Sequence, residues 1–166
     1  MKELPRDVQE EISLDKTDLA ILREIQEDSG MSNTELARRI SLSQPATHTR
    51  LKRLEAMGVI RGNVALLDRD KLGLDMLCFI HIRLQAHSTA ALDRFQSKIL
   101  KMPEVLECYH LTGQFDYLLK VVMHNRKELG TFVRENMIPL DNVAQISTSV
   151  VLFEVKSSTC LPLPDK

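Results

Sequence analysis

Apolar residues between Leu14 and Met57 recur at helical spacing and outline three short helices. The first is predicted over 14–28, with Leu14, Ile21, Leu22 and Ile25 on one side. Ser13 is placed to cap it, Asp15 and Asp18 lie near its positive end, and Ser29-Gly30 closes it. Ser32-Asn33-Thr34-Glu35 has the spacing of a capping box and opens a second helix, whose inner stripe is Leu36, Ala37 and Ile40. Ser41-Leu42-Ser43 breaks it and turns Leu42 into the core. Ser43 caps a third helix with Pro45 in its first turn, where a missing N–H removes no hydrogen bond. Leu51, Leu54 and Met57, extended by Thr47, form its apolar face, and Gly58 ends it.

The pattern then changes. Residues 63–67 read as a short strand and 68–75 as a polar linker. Further strands are predicted over 77–84, 105–111, 115–123 and 143–156. A helix over 89–101 turns Leu92, Phe95, Ile99 and Leu100 inward and stops before Pro103. Another opens at Asn125, carries Leu129, Phe132, Val133 and Met137, and ends at Pro139. The order β-α-β-β-α-β is that of the ferredoxin-like split motif, in which two helices cover one face of a four-stranded antiparallel sheet. Cys78, Ile80, Ile82 and Leu84 are expected to face the helices, and Leu77 and Phe79 the other way. The last strand is apolar on both faces, whereas a sheet with one wet face alternates. A second subunit, making a homodimer, is therefore expected on the free face. The fold class is α+β: a polar segment at 1–13, a helix-turn-helix domain at 14–62, a strand and hinge at 63–75, a ferredoxin-like domain at 76–157 and a tail at 158–166.

Composition narrows the chemistry. Hydrophobic residues make up 43% of the 166, enough for packed cores, and aromatics only 4%, which disfavours base-stacking platforms. No apolar run spans a bilayer and the polar N-terminus lacks the core of a secretory signal. Cys78, Cys108 and Cys160 have no metal-like spacing and read as reduced thiols of a cytoplasmic protein. The net charge is −1, but its distribution is uneven. Acids crowd the first stretch, and Arg38, Arg39, Arg50, Lys52, Arg53 and Arg61 face Glu55 alone within their own segment.

That basic stretch coincides with the third helix. A reading helix enters the major groove with polar residues outward and a second helix behind it. Here the outward residues are Gln44, Pro45, His48, Thr49, Lys52 and Arg53. Gln44 is expected to pair with a base edge, with His48 and Thr49 as weaker base contacts. Arg38, Arg39, Arg50, Lys52 and Arg53 are expected on phosphates of double-stranded DNA, where they position without reading sequence. A three-helix bundle used for protein contacts is the alternative that these residues leave open.

The chain from Leu14 to its C-terminus resembles the Lrp/AsnC family of leucine- and asparagine-responsive regulators. The residues that carry the resemblance are Leu14-Asp15-Lys16-Thr17-Asp18, Ser32 to Ala37, Arg50 to Glu55, Gly58-Val59-Ile60, Thr112 to Leu119 and Glu154-Val155-Lys156. The resemblance implies a winged helix-turn-helix joined to a ferredoxin-like effector domain. It also implies dimers assembling to octamers, with an amino acid bound at subunit interfaces. On the matching positions it assigns Gly113, Gln114, Phe115, Asp116 and Tyr117 to the effector loop and Thr148 to the same pocket. The family often has an acidic residue or another polar one where Gln114 stands, and many relatives have Pro and Cys where this chain has Ala46 and Thr47.

Other features imply less. Cys108 and His110 share a strand face, but a metal needs more ligands. There is no Gly-rich phosphate loop and no nucleophile–base pair, so neither an enzyme nor a cofactor is expected. The competing function is an architectural protein that bends DNA without an effector.

Overall fold

A computed structural model describes residues 12–164. Residues 1–11, which are most of the expected N-terminal segment, and 165–166 of the expected tail lie outside the described residues. The chain divides into two compact units, residues 12–65 with 157–164, and residues 66–156.

The first unit holds α1 (Lys16–Glu27), α2 (Asn33–Arg39) and α3 (Gln44–Ala56). Asp15, not Ser13, caps α1. Its carboxylate accepts the Asp18 N–H at 2.8 Å, and the Asp18 carboxylate accepts the Asp15 N–H at 3.1 Å, so two orphan donors are satisfied reciprocally. At α2 only half of the expected box forms: Ser32 Oγ accepts the Glu35 N–H at 3.2 Å, while the Glu35 carboxylate turns to Arg38 and Arg39. Ser43 caps α3 with Pro45 in its first turn. Ile21, Leu22, Leu36 and Leu54 form the core, ringed by Leu14, Ile25, Ile40, Leu51 and Ile60. Leu42 is only half-buried rather than a core residue. The Ser41 bend before it (φ 56°) lets its N–H reach the Ala37 carbonyl at 2.9 Å, closing the turn by the backbone. Gly58 adopts φ 71° after α3, the left-handed stop that a Cβ disfavours.

The tail belongs to this unit. Leu163 packs on the core, and Gln26 of α1 bonds the Leu161 backbone. Arg23 Nη2 donates to the Pro164 carbonyl at 2.6 Å, and Cys160 Sγ donates to the Gln26 carbonyl at 3.4 Å.

The second unit comprises β1 (Met76–Leu84), α4 (Thr89–Ile99), β2 (Val105–His110), β3 (Tyr117–Met123), α5 (Arg126–Phe132), which continues as one π turn over Val133–Met137, and β4 (Val143–Val150). The sheet order is β2-β3-β1-β4, every ladder antiparallel. Cys78, Ile80, Ile82 and Leu84 join Tyr117, Leu119, Val121 and Met123 beneath Phe95, Ile99, Phe132 and Met137. Leu100, expected inside, is exposed at the α4 C-cap. On the other face Leu77, Phe79 and His81 stand opposite Val122, Lys120 and Leu118.

Two expected strands fall short. Residues 63–67 form no paired strand, and Val64, Leu66 and Leu67 are exposed. β4 ends at Val150 instead of running to 156. Its partner β1 begins at Met76, so the Val151 N–H, bonded to the Leu77 carbonyl at 2.9 Å, is the last donor with a strand to meet. Beyond it Leu152 and Phe153 are 90% and 76% exposed.

Candidate functional site

α3 separates its two sides sharply. Thr47 and Leu54 are buried, whereas Gln44, Pro45, His48, Thr49 and Lys52 are exposed. Thr47 needs no partner outside its own helix, because its hydroxyl donates to the Ser43 carbonyl at 3.1 Å. Gln44 sits at the helix N-terminus. Asn33 of α2 reaches His48, with Nδ2 3.3 Å from Nδ1, and Thr49 Oγ1 donates to the Pro45 carbonyl at 3.0 Å. Of the base-reading candidates, Gln44 thus keeps an uncommitted side chain among the described contacts.

The five basic candidates all face acids. Arg38 grips Glu35 with Nε and Nη2, each at 2.8 Å. Arg39 spans Glu35 (2.8 Å) and Glu24 (3.0 Å), and Lys52 meets Glu55 at 2.7 Å. These pairs are exposed and readily exchanged for another anion. The Arg38 and Arg39 guanidiniums hold the Glu35 carboxyl down to about 2. Arg50 and Arg53 differ. Arg50 Nη1 donates to Asp15 at 2.7 Å and Asp18 at 2.8 Å, and Arg53 Nη2 donates to Asp18. The Asp18 carboxylate is fully buried. The Asp18 backbone N–H, then Arg50, holds the Asp15 carboxyl below its usual value. The acidic partners were not predicted from the sequence. The Asp15/Asp18 spacing of a reciprocal cap and the Glu35–Arg38–Arg39 spacing on α2 were the signals that point to them.

The turn before β3 is the second candidate. Gly113 has φ 119°, Gln114 is exposed, and the turn is closed by the Leu111 N–H on the Asp116 carbonyl at 2.8 Å. Phe115 lies 5.2 Å from the His81 ring on the free face. The Asp116 carboxylate is already engaged. One oxygen accepts the Leu84 N–H at 2.7 Å and the other lies 2.8 Å from His87 Nε2. Partial burial pushes this carboxyl upward, but those two contacts outweigh it and leave it below its usual value. Tyr117, expected at the loop, is a core side chain 1% exposed. Its ring lies between Phe95 and His110, and its hydroxyl accepts from Gln96 Nε2 at 2.9 Å.

Thr148 is exposed on β4, opposite Ile80, while Asp116 precedes Tyr117, which is opposite Ile82. The two lie on strands separated by β1 and three residues out of step, on the order of 14 Å apart along the sheet. One chain does not bring them together.

Comparison with known proteins gives a family match to each part of the chain. The family model described as "Winged helix-turn-helix DNA-binding" matches residues 14–61, and "Lrp/AsnC ligand binding domain" matches residues 77–161. The transcriptional regulator AzlB of Bacillus subtilis is 34% identical over 154 residues, 93% of this chain and 98% of its own length. The leucine-responsive regulatory protein of Rhizobium meliloti is 36% identical over 147 residues, 89% of this chain and 94% of that protein. A transcriptional regulator of Neisseria meningitidis, crystallised as its L-Met complex, superposes with a TM-score of 0.87 at 36% identity, covering 90% of this chain and 97% of that one. These relatives are regulators rather than enzymes. With a DNA-binding helix-turn-helix and a ligand-binding domain matched in order along it, the chain belongs to the Lrp/AsnC family of transcriptional regulators.

Proposed function

We propose that this protein is a sequence-specific DNA-binding regulator, working as a homo-oligomer in the cytoplasm and modulated by an amino acid held between copies of the second unit. The observation that carries the DNA half is the polar outer side of α3 over a locked inner one. Gln44 reads a base, with His48 and Thr49 beside it. Arg38, Arg39, Arg50, Lys52 and Arg53 meet phosphates. The exposed Leu152 and Phe153, and Phe79 on the free sheet face, supply apolar surface for a second copy. Dimers of this kind are proposed to assemble further, to an octamer.

The effector half draws on the L-Met complex of the Neisseria meningitidis relative. Gly113, Gln114, Phe115 and Asp116 form the turn that receives the ligand. Tyr117 supports it from the core, and Thr148 comes from another copy, since one chain separates it from Asp116. The test is selection of duplex DNA from a random pool, followed by titration with each amino acid. An operator whose affinity shifts with one amino acid supports both halves, and selection of no sequence overturns the specific reading. A second reading, an effector-independent architectural protein, is favoured by one observation: Asp116 already has two partners within the chain. Under it, no amino acid alters thermal stability or DNA affinity.

A further inference from the structure

We propose that Asp18 is a positioning residue for DNA binding: a buried carboxylate behind α3 that aims the guanidiniums of Arg50 and Arg53 at the phosphate backbone. The inference rests on the DNA-binding reading above. Asp18 is fully buried, yet it belongs to the first turn of α1 and makes its contacts to the reading helix. Its two oxygens divide the work: Oδ1 accepts from Arg50 at 2.8 Å, and Oδ2 accepts from Arg53 and from the Asp15 N–H at 3.1 Å. A carboxylate so enclosed cannot swing away, so it serves as a fixed post.

Each arginine spends one terminal nitrogen on that post. Arg50 uses Nη1 and Arg53 uses Nη2. Nε and the remaining terminal nitrogen of each have no partner among the described residues, and the side chains are 30% and 48% exposed. The guanidinium is planar and its donors diverge in a rigid fork. Holding one end therefore directs the other, and the free edge of each fork is the shape that meets a phosphate with two parallel bonds. Arg38 is different: its Nε and Nη2 are both taken by the partly exposed Glu35 carboxylate. An arginine already immobilised loses less rotamer entropy when a phosphate arrives. Phosphate bound on the outer edge also keeps the Asp18 charge on the far side of the guanidinium, so the attraction exceeds the repulsion.

The experiment measures affinity for random-sequence duplex DNA over a salt series, because phosphate contacts do not depend on sequence. Wild type must first show salt-dependent binding; if it does not, the DNA-binding reading itself fails. Asp18→Asn keeps the side-chain shape but removes the charge. It should weaken binding about tenfold or more and make the log–log slope shallower by about 3.6 for a dimer that loses two phosphates per copy. Arg53→Lys retains the positive charge but cannot hold Asp18 and a phosphate in one plane. It should weaken binding as much as Arg53→Ala, while Arg50 still pairs with Asp18. A folded Asp18→Asn protein with wild-type affinity and slope overturns the proposal. If Asp18→Asn fails to fold, Arg53→Lys decides, and wild-type binding by that variant overturns it.

Discussion

Gln26 and Leu161 are joined through both ends of one amide: Oε1 accepts the Leu161 N–H at 2.7 Å, and Nε2 donates to the Leu161 carbonyl at 3.3 Å. A side chain on α1 thus imitates a strand edge for the tail. Leu163 follows onto the core that holds Ile21 and Leu22. Leu163→Ser should destabilise the helix-turn-helix unit by about 1 kcal/mol, the value of a partly buried Leu, and Gln26→Ala by a similar amount for two exposed bonds. Hydrogen exchange of α1 amides checks this, since the second unit should keep its protection.

Glu35 gives the acid response a sign. Its folded carboxyl lies at about 2, against an ordinary 4.5, because Arg38 and then Arg39 hold it ionised. A depressed carboxyl contributes stability that is present above its unfolded value and is lost as pH falls through the folded one. The Asp15 carboxyl of the same unit is lowered as well and acts in the same direction. Helicity of the first unit should therefore fall between about pH 4.5 and about pH 2. Glu35→Gln should flatten that descent. Because these groups are exposed, added salt should shrink the difference between the two proteins.

Gln44 and Lys52 share the outer side of α3 but should fail differently. Gln44→Ala is expected to relax preference at one position of each half-site, at a cost of about 1–3 kcal/mol there. Lys52→Ala should weaken all sequences alike and lower the salt slope by about 1.8 for two copies. Binding to a panel of single-base operator variants at two salt concentrations distinguishes the pair, and a Gln44→Ala loss spread evenly over the panel removes Gln44 from the base contacts.

What could be read from the residues was local. Helical spacing placed Leu36 and Leu54 in the first core and Phe95 in the second, and strand alternation placed Ile80 and Ile82 beside Phe95, because period and burial are properties of neighbouring positions. The missing relationships all span the chain. Arg50 and Arg53 look like free cations until Asp15 and Asp18, far back in the sequence, fold onto them. The Leu161-Pro162-Leu163-Pro164 tail has no period and gave no hint that it docks on α1. The run from Val143 to Lys156 reads as one strand, but a strand ends where its partner does, and β1 starts at Met76. The effector candidates divide for the same reason. Gly113 and Asp116 share one turn, while Thr148 lies across β1 from it.

Asp116 offers a sharper test of the effector turn than its sequence neighbours. Its Oδ2 accepts the Leu84 N–H and its Oδ1 meets His87, so it ties the turn to the end of β1 before any ligand arrives. An amino acid whose ammonium pairs with Asp116 must displace or share with His87. His87→Ala should then leave the Leu84 bond intact and strengthen amino-acid binding, because one competitor is gone. Asp116→Ala should abolish that binding and also lower stability of the second unit by about 1–3 kcal/mol, since a partly buried N–H loses its acceptor. Calorimetry with the amino acid found by screening gives the first outcome, and thermal unfolding gives the second. Unchanged affinity in both variants would assign Asp116 to the turn alone.

Phe153 provides the matching test of assembly. It is 76% exposed beyond the end of β4, with Leu152 at 90% and Val155 at 86%. Three large apolar side chains in one short segment do not stabilise a lone chain; covered by a second copy, each contributes about 1.5–3 kcal/mol. Phe153→Asp should therefore leave the fold of each unit unchanged, since the ring has little to pack on within its own chain. At the interface the same substitution buries an unpaired charge, which is strongly destabilising there. Phe79→Asp is the contrasting variant: its site is half-buried on the sheet face, so it should cost stability as well as association. Sedimentation at micromolar concentration should show wild type without monomer and Phe153→Asp shifted toward a folded monomer that binds DNA weakly. Wild type sedimenting as a stable monomer would sink the interface.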